Sequence, residues 1–187
     1  MKRLFFIAVT TLLLTACGAS SAKLEVNDGV KSSTLSVKAG EVSYGNVIST
    51  YPDKPSLQTF AHEIVLANYD IDQTNMHKPL TAPEQMRVEI QLTGEAGTKN
   101  ESPFKVGTYR VKNDAINDVR TIGIRTFADG KEVKTYFETM SSSSTADGEV
   151  KITSVTSDKV TGEMNLTEGT KSIKGTFTAW LPGAKKQ

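Results

Sequence analysis

Residues 148–181, GEVKITSVTSDKVTGEMNLTEGTKSIKGTFTAWL, decide the fold of this chain. Apolar or small side chains occupy every second position in two runs of this stretch, 160–166 and 173–179, and polar side chains fill the positions between them. A period of two residues is typical of a β-strand that buries one face. The stretch therefore predicts a meander of three antiparallel strands over residues 149–180.

Turn residues set the registers of this meander. Gly169-Thr170, taken as a type II′ turn, joins its second and third strands. The predicted opposite pairs are Glu168 and Lys171, Leu166 and Ile173, Met164 and Gly175, and Gly162 and Phe177. Large residues then face small ones, and a slip of one residue would turn the inward face outward. A three-residue link at 157–159 joins the first two strands, with Ile152 opposite Met164 and Val150 opposite Leu166.

A second hairpin is predicted around Asp129-Gly130, a dipeptide that suits the positive φ angles of a type I′ turn. Its predicted opposite pairs are Ala128 and Lys131, Thr126 and Val133, Ile124 and Thr135, and Ile122 and Phe137.

Alternation recurs along the rest of the chain. Residues 86–92 form a half-buried strand by this criterion, and further strands are predicted at 34–38, 41–50, 60–68 and 104–111. The prediction is an all-β fold, an antiparallel β-sandwich of nine or ten short strands. An up-and-down, calycin-like barrel is the alternative, because it too is built from consecutive hairpins.

The first seventeen residues predict export and lipid attachment. Lys2 and Arg3 precede an apolar run that ends at Leu14, which is the pattern of a secretory signal. The run is too short for a helix to cross a hydrocarbon core of about 30 Å. The sequence Leu-Thr-Ala-Cys at 14–17 resembles the lipobox of bacterial lipoproteins. That resemblance implies cleavage after Ala16, diacylglycerol on the Cys17 sulfur and acylation of the new amino terminus.

These signals predict the layout and the location of the protein. Residues 1–16 are a lipoprotein signal peptide that is removed, 17–33 are the lipidated cysteine with a flexible tether, and 34–187 are a single β domain. The tether contains one weak strand-like run, Leu24-Glu25-Val26, which is a candidate for a first edge strand. The expected location is the cell envelope, with the lipid on Cys17 holding the protein to a membrane. Gly18 is not the aspartate that signals retention in the inner membrane of enterobacteria. The outer membrane is therefore expected if the host is Gram-negative.

Charge and cysteine content exclude several kinds of function. Without Lys2 and Arg3, two of the 22 basic residues, the mature chain has 20 basic residues against 21 acidic ones. No basic stripe is present for nucleic acid to bind. The chain has one cysteine, so once Cys17 carries lipid there is no thiol for a disulfide, a nucleophile or a metal. No cofactor is expected.

The C-terminal segment resembles the closing hairpins of many uncharacterised β-rich bacterial lipoproteins. In those, an Ile-Thr strand precedes a Val-x-Gly strand and a Gly-x-Phe-x-Ala strand, as at residues 152–153, 160–162 and 175–179 of this chain. The resemblance covers about a fifth of the chain and implies a β fold, with no activity attached.

A few residues are candidates for binding. Asp70 and Asp72 offer oxygen ligands at calcium-loop spacing, but Asn75 and Thr81 stand where an EF-hand needs Gly and Glu. They are a weak metal candidate, and a loop built from good turn residues is the simpler interpretation. Alternation turns Trp180, Tyr136 and Phe127 away from the predicted core face. Exposed aromatic side chains are typical of partner contacts, unless a second sheet or a barrel interior covers this face.

The expected function is that of a non-enzymatic binding or structural lipoprotein. Its β domain would contact another envelope protein, a glycan or a lipid. Two other functions are the alternatives. One is a hydrophobic-ligand carrier of calycin type, and the other is a small envelope hydrolase that works without cysteine chemistry. Two histidines, His62 and His77, leave little room for a catalytic base with its nucleophile and orienting group.

Overall fold

A computed structural model describes residues 22–51, 54–112, 116–141 and 143–184. These residues form no helix and twelve strands, two more than the upper limit expected from the sequence, and confirm the all-β fold. The strands are β1 (Lys23–Asn27), β2 (Ser32–Ser36), β3 (Ala39–Ser43), β4 (Asn46–Tyr51), β5 (Lys54–Ala67), β6 (Met86–Thr93), β7 (Gly107–Arg110), β8 (Val119–Ala128), β9 (Lys131–Tyr136), β10 (Asp147–Val155), β11 (Lys159–Glu168) and β12 (Lys171–Trp180). The described part of the chain contains no helix with the length and hydropathy of a membrane span.

All twelve strands belong to one open sheet. Its strands fall into two groups, which we call the two sides of the sandwich. On the meander side, the order β7-β10-β11-β12 is extended by β1, which also pairs with β12, and by β2. On the other side, which we call the network side, the order is β3-β5-β6-β8-β9, and β4 pairs with β5. The two sides are joined where Trp180 of β12 pairs in parallel with Glu41 of β3. The sheet is open, and several neighbouring strands, such as β12 and β3 or β6 and β8, are not consecutive in the chain. The up-and-down barrel alternative is therefore wrong.

One apolar core lies between the two sides. It takes Phe177 and Ile152 from the meander side and Phe60, Ile64 and Ile122 from the network side, all with at most 2% of their surface exposed. A single core that draws on both sides is that of a sandwich-like fold.

Both hairpins that were predicted from turn residues have the predicted register. Leu166 pairs with Ile173 and Gly162 with Phe177, and Ile124 pairs with Thr135 across the Asp129-Gly130 turn. The φ angles of Asp129 and Gly130 are +52° and +76°, as a type I′ turn requires.

The register predicted between β10 and β11 is wrong by two residues. Ile152 lies opposite Gly162 rather than Met164, and Val150 lies opposite Met164 rather than Leu166. One residue of the difference comes from a tighter turn, and the other comes from an irregularity between Ile152 and Ser154. Since the total shift is an even number, the inward face is still the one predicted.

The predicted tether over residues 17–33 contains part of the domain. Leu24 and Val26 are buried in the core, and β1 lies between β2 and β12. The sequence showed only a short strand-like run here, and the pairing with β12 stabilises it as a strand. The domain therefore extends at least to Lys23, so the boundary predicted at residue 34 is wrong.

The strand predicted over residues 41–50 is interrupted. It divides at Tyr44-Gly45 into β3 and β4, which pair with successive parts of the long strand β5. Beyond residue 60, β5 and β6 pair side by side as part of the network side.

Two glycines of the meander lie where there is no room for a side chain. A Cβ atom at Gly162 would lie 2.5 Å from the Lys151 carbonyl oxygen and 2.7 Å from the Phe177 ring, and one at Gly175, whose φ is +139°, would collide with the Lys23 carbonyl oxygen. We expect Gly162→Leu and Gly175→Leu each to lower the free energy of unfolding by ~1–3 kcal/mol or more, as overpacked sites do.

The matched control is Lys174→Thr, an exposed position on β12. It should change the free energy of unfolding by less than about 0.5 kcal/mol. Urea unfolding of the three variants measures these changes. Equal midpoints would contradict the assignment of Gly162 and Gly175 to tightly packed positions of the meander.

Candidate functional site

The outer face of the network side carries charged side chains that the sequence pattern assigns to solvent. Residues 68–85, which join β5 to β6 without a strand or helix, fold over this face. As a result Arg87 is 2% exposed and Glu89 is 6% exposed. Buried charges are stable only when they are paired and hydrogen-bonded, so the contacts of these two residues define the site.

Glu89 of β6 is the centre of the site. Its Oε2 accepts hydrogen bonds from Nε and Nη2 of Arg125, at 2.9 and 2.7 Å, and its Oε1 accepts one from Nε of Arg87 at 2.7 Å. Burial by itself raises the pKa of the Glu89 carboxyl, but the hydrogen bonds and charges of the two arginines outweigh burial and hold that pKa below its usual value. Glu89 is therefore ionised at neutral pH.

Polar contacts to charged side chains fasten the 68–85 segment to the sheet. Nη1 of Arg87 donates to the Lys78 carbonyl oxygen at 2.8 Å and to the Tyr69 hydroxyl at 3.0 Å. Glu132 of β9 accepts a hydrogen bond from the Leu80 amide at 3.0 Å. Two of these three bonds satisfy backbone groups of the segment, the Lys78 carbonyl oxygen and the Leu80 amide, which would otherwise be costly to bury.

His77 lies between two carboxylates. Its Nε2 is 3.2 Å from Oε2 of Glu63, and its Nδ1 is 3.5 Å from Oε1 of Glu89. Burial raises the pKa of Glu63, and the Glu89 charge adds to that rise, while His77 and Arg87 oppose it. The two glutamates, on adjacent strands, therefore have pKa values shifted in opposite directions.

Glu63, His77 and Glu89 also have the composition of a metal-binding set. Their ligand atoms all lie within 4.8 Å of one another, and His and Glu are zinc ligands in proteins. Both oxygens of Glu89, however, already accept guanidinium hydrogen bonds, and a cation would have to displace them against the charge of two arginines. With Glu89 committed in this way, two ligands remain, and the arrangement is that of a buried ion-pair network.

The aromatic candidates do not form one site. Trp180 lies half-buried at the end of β12, with Nζ of Lys159 4.0 Å from its ring centroid. Tyr136, half exposed on β9, lies near the other end of β12, because Nζ of Lys171 donates to its carbonyl oxygen at 2.7 Å. The ten-residue β12 separates these ends by about 30 Å. Phe127 is half-buried on β8.

The acidic candidates have other contacts. Oδ2 of Asp70 forms an ion pair with Nζ of Lys38 at 2.8 Å, and Oδ1 of Asp72 accepts hydrogen bonds from the amide and hydroxyl of Thr74. The second pattern is an Asx turn, as expected for a loop of turn residues. Cys17 and the predicted signal peptide, residues 1–16, lie outside the described residues.

His62 is part of the core. Its ring stacks on Phe60 with centroids 4.1 Å apart and meets Phe104 edge-on at 5.1 Å. Nδ1 accepts a hydrogen bond from the Gly45 amide, so Nε2 carries the ring proton and donates a hydrogen bond to the Ser102 carbonyl oxygen at 2.8 Å. Burial lowers the pKa of His62, so the ring is neutral and held on both nitrogens.

The comparison of this chain with family models, curated proteins and solved structures finds no match.

Sequence reasoning missed the buried ion-pair network. Arg87 and Glu89 occupy alternate, outward positions of a strand, which is also the pattern of a solvated face. One signal did exist: a connection as long as 68–85 without secondary structure is uncommon in a compact domain. Such a segment has to lie on something, and the charged face of the adjacent strands was the nearest surface.

The network predicts unequal roles for its two glutamates. Glu89→Gln removes the carboxylate that pairs with Arg125 and leaves Arg87 only its longer ion pair with Glu132, at 3.8 Å. We expect it to lower the free energy of unfolding by ~3–5 kcal/mol. Because the folded-state pKa of Glu89 is lowered, its contribution is present at neutral pH and is lost as the pH falls through that pKa. For Glu63 the folded-state pKa is raised, so ionisation of this carboxyl opposes folding as the pH rises, and Glu63→Gln should cost far less at neutral pH.

Urea unfolding of both variants at neutral pH and in acid measures this difference. The gap between the two variants should be largest at neutral pH and should narrow in acid. Equal losses for Glu63→Gln and Glu89→Gln at neutral pH would show that the arginines do not depend on Glu89.

Proposed function

We propose that this protein is a lipid-anchored envelope protein whose β domain is a binding module held close to the membrane. The observation that supports this proposal most is the start of the domain. Lys23, the first residue of β1, follows Cys17 by only six positions, and six residues span at most about 20 Å. With lipid on Cys17, the domain lies next to the bilayer.

The anchor is expected to be stable. Diacylglycerol together with an acylated amino terminus supplies more than one acyl chain, and two or more chains hold a protein on a membrane where a single chain does not. The sequence after Cys17 lacks the inner-membrane retention aspartate, so the proposed location in a Gram-negative host is the outer membrane.

The proposed binding surface is the free edge of the network side. β9 is the last strand in the order, and Val133, Tyr136 and Met140, on or just after it, are 36%, 50% and 52% exposed. The Tyr136 ring packs on the Arg125 guanidinium, 4.8 Å from its centroid, which holds the ring in place. An edge strand offers unpaired backbone groups to another chain, and tyrosine is enriched among residues that dominate binding energy. We therefore propose a protein partner.

The two alternative functions have less support. A carrier needs an interior left partly unfilled, whereas Phe177 and Phe60 fill the space between the two sides with at most 2% exposure. A hydrolase needs an accessible general base whose nitrogen is free to act. The His62 ring is enclosed by aromatic rings and bonded through both nitrogens, and the half-exposed His77 has a carboxylate beside each nitrogen, Glu63 and Glu89.

The anchor is tested by Cys17→Ser. We expect the variant to remain uncleaved or to be recovered in the soluble fraction, because lipid supplies the membrane affinity. Ser20→Ala, three residues further on, is the matched control and should behave like the native protein. Cell fractionation after a high-salt wash, together with radiolabelled fatty acid, measures both. A processed Cys17→Ser protein that stays with washed membranes would show that the anchor is something else.

The binding surface is tested by a photo-crosslinking amino acid placed in the full-length protein in its own host. At position 136 we expect one dominant crosslinked protein, and at position 163, an exposed site on β11 of the meander side, we expect none. The crosslink at 136 should disappear when Val133→Asp is added, because a charge there disfavours edge pairing. Equal crosslinking at both positions would contradict a specific surface at β9.

A further inference from the structure

We propose that the end of β12 that carries Trp180 faces the bilayer, and that the indole ring inserts into its headgroup region. This inference deepens the proposed lipid anchor and depends on it. It assigns to Trp180 a lipid ligand, and it leaves the distant Tyr136 to the protein partner.

The direction in which the chain leaves the domain supports this orientation. β1 runs antiparallel to β12, with Leu24 opposite Gly175. Followed back from Leu24 to Ala22, the chain therefore runs along β12 toward Trp180. The carbonyl oxygen of Ala22 accepts a hydrogen bond from the Val37 amide at 2.9 Å, which fixes the exit point.

The distance from Ala22 to Trp180 along β12 is comparable to the distance that the chain from Ala22 to Cys17 can span. In this register Ala22 is level with Phe177, three residues before Trp180, and three residues of strand span about 10 Å. The five steps from Ala22 to Cys17 reach at most about 17 Å. A lipid on Cys17 therefore holds the bilayer within reach of Trp180, while Tyr136 lies near the far end of β12.

The side chains at this end suit an interface between lipid and water. Trp180 lies on the outward side of β12, since its neighbours Phe177 and Ala179 are buried in the core. Lys159 extends over its ring, with Nζ 4.0 Å from the centroid. Tryptophan is enriched at the headgroup level of membranes, and a lysine can bury its alkyl stem there while its ammonium group reaches a phosphate.

The Trp180 end of β12 carries both acidic and basic side chains, and two of its lysines are exposed. Lys159 and Lys23 are both exposed, and Asp158 lies in the turn beside Lys159. Lys38 is engaged by Asp70. The attraction to anionic headgroups is therefore modest, and the lipid anchor with the Trp180 ring supplies most of the contact.

Fluorescence tests this directly, because Trp180 is the sole tryptophan of the chain. The mature lipidated protein is reconstituted into vesicles of phosphatidylcholine with a minor share of phosphatidylglycerol, with or without brominated acyl chains. We expect brominated lipid to reduce Trp180 emission by about half, since an aromatic ring in the interface lies near the acyl chains. Emission should also shift to the blue relative to the lipid-free domain.

A relocated reporter is the control. In Trp180→Phe with Tyr136→Trp, the single tryptophan lies at the far end of β12, and we expect brominated lipid to leave its emission unchanged. Urea unfolding of this variant establishes that it is folded before the measurement is made.

Flotation of the vesicles on a density gradient separates failure of the anchor from failure of the orientation. Protein that does not float overturns the lipid anchor, and with it this proposal. Protein that floats while Trp180 stays unquenched and open to aqueous iodide overturns the orientation alone, and leaves Trp180 as a contact for a protein partner. Quenching of the reporter at position 136 in place of Trp180 would show that the domain is held the other way round.

Discussion

The whole sheet depends on β12, which has three partners. It pairs with β11 along its full length, with β1 near its start and with β3 at its last residue. The pairings of β12 with β1 and of β12 with β3 both bring two backbones unusually close together. A Cβ atom at Gly175 would collide with the Lys23 carbonyl oxygen, and one at Gly40 would collide with the Thr178 carbonyl oxygen. Glycine at position 40 therefore allows β12 to join the two sides of the sandwich, and glycine at position 175 allows β1 to pair with β12.

The outer faces of the two sides differ in whether their charged side chains are exposed to water. The meander side leaves its outward residues in water, where an ion pair such as Lys151 with Glu163 contributes little to stability. On the network side the 68–85 segment excludes water from Arg87 and Glu89, so every charge must be matched by hydrogen bonds. Arg87 makes both kinds of contact. It pairs with the Glu89 carboxylate, and it donates a hydrogen bond to the Lys78 carbonyl oxygen of the covering segment. The network thus determines where a segment without secondary structure lies.

Local patterns predicted the local part of this fold. The pairing of Leu166 with Ile173 follows from alternation and a two-residue turn, and it is correct. The pairing of β10 with β11 was wrong because an irregularity at residue 153 leaves no mark in the sequence. The pairing of β1 with β12 and the ion-pair network bring together residues far apart in the chain. No local periodicity reports such contacts, and Arg87 or Glu89 on a strand has the same pattern whether or not another segment covers it.

In the proposed anchored protein, the short distance between Cys17 and β1 would constrain where a partner can bind. With lipid on Cys17, as proposed, the Trp180 end of β12 lies within about 20 Å of the bilayer, which leaves too little space for another folded domain to approach from that side. A partner must then use a surface at the opposite end, and β12 sets the separation at about 30 Å. Tyr136 and the open edge of β9 lie there, tied to the start of β12 through Lys171. In the proposed anchored protein, the strand that joins the two sides of the sheet would therefore also keep a partner at β9 away from the lipid surface.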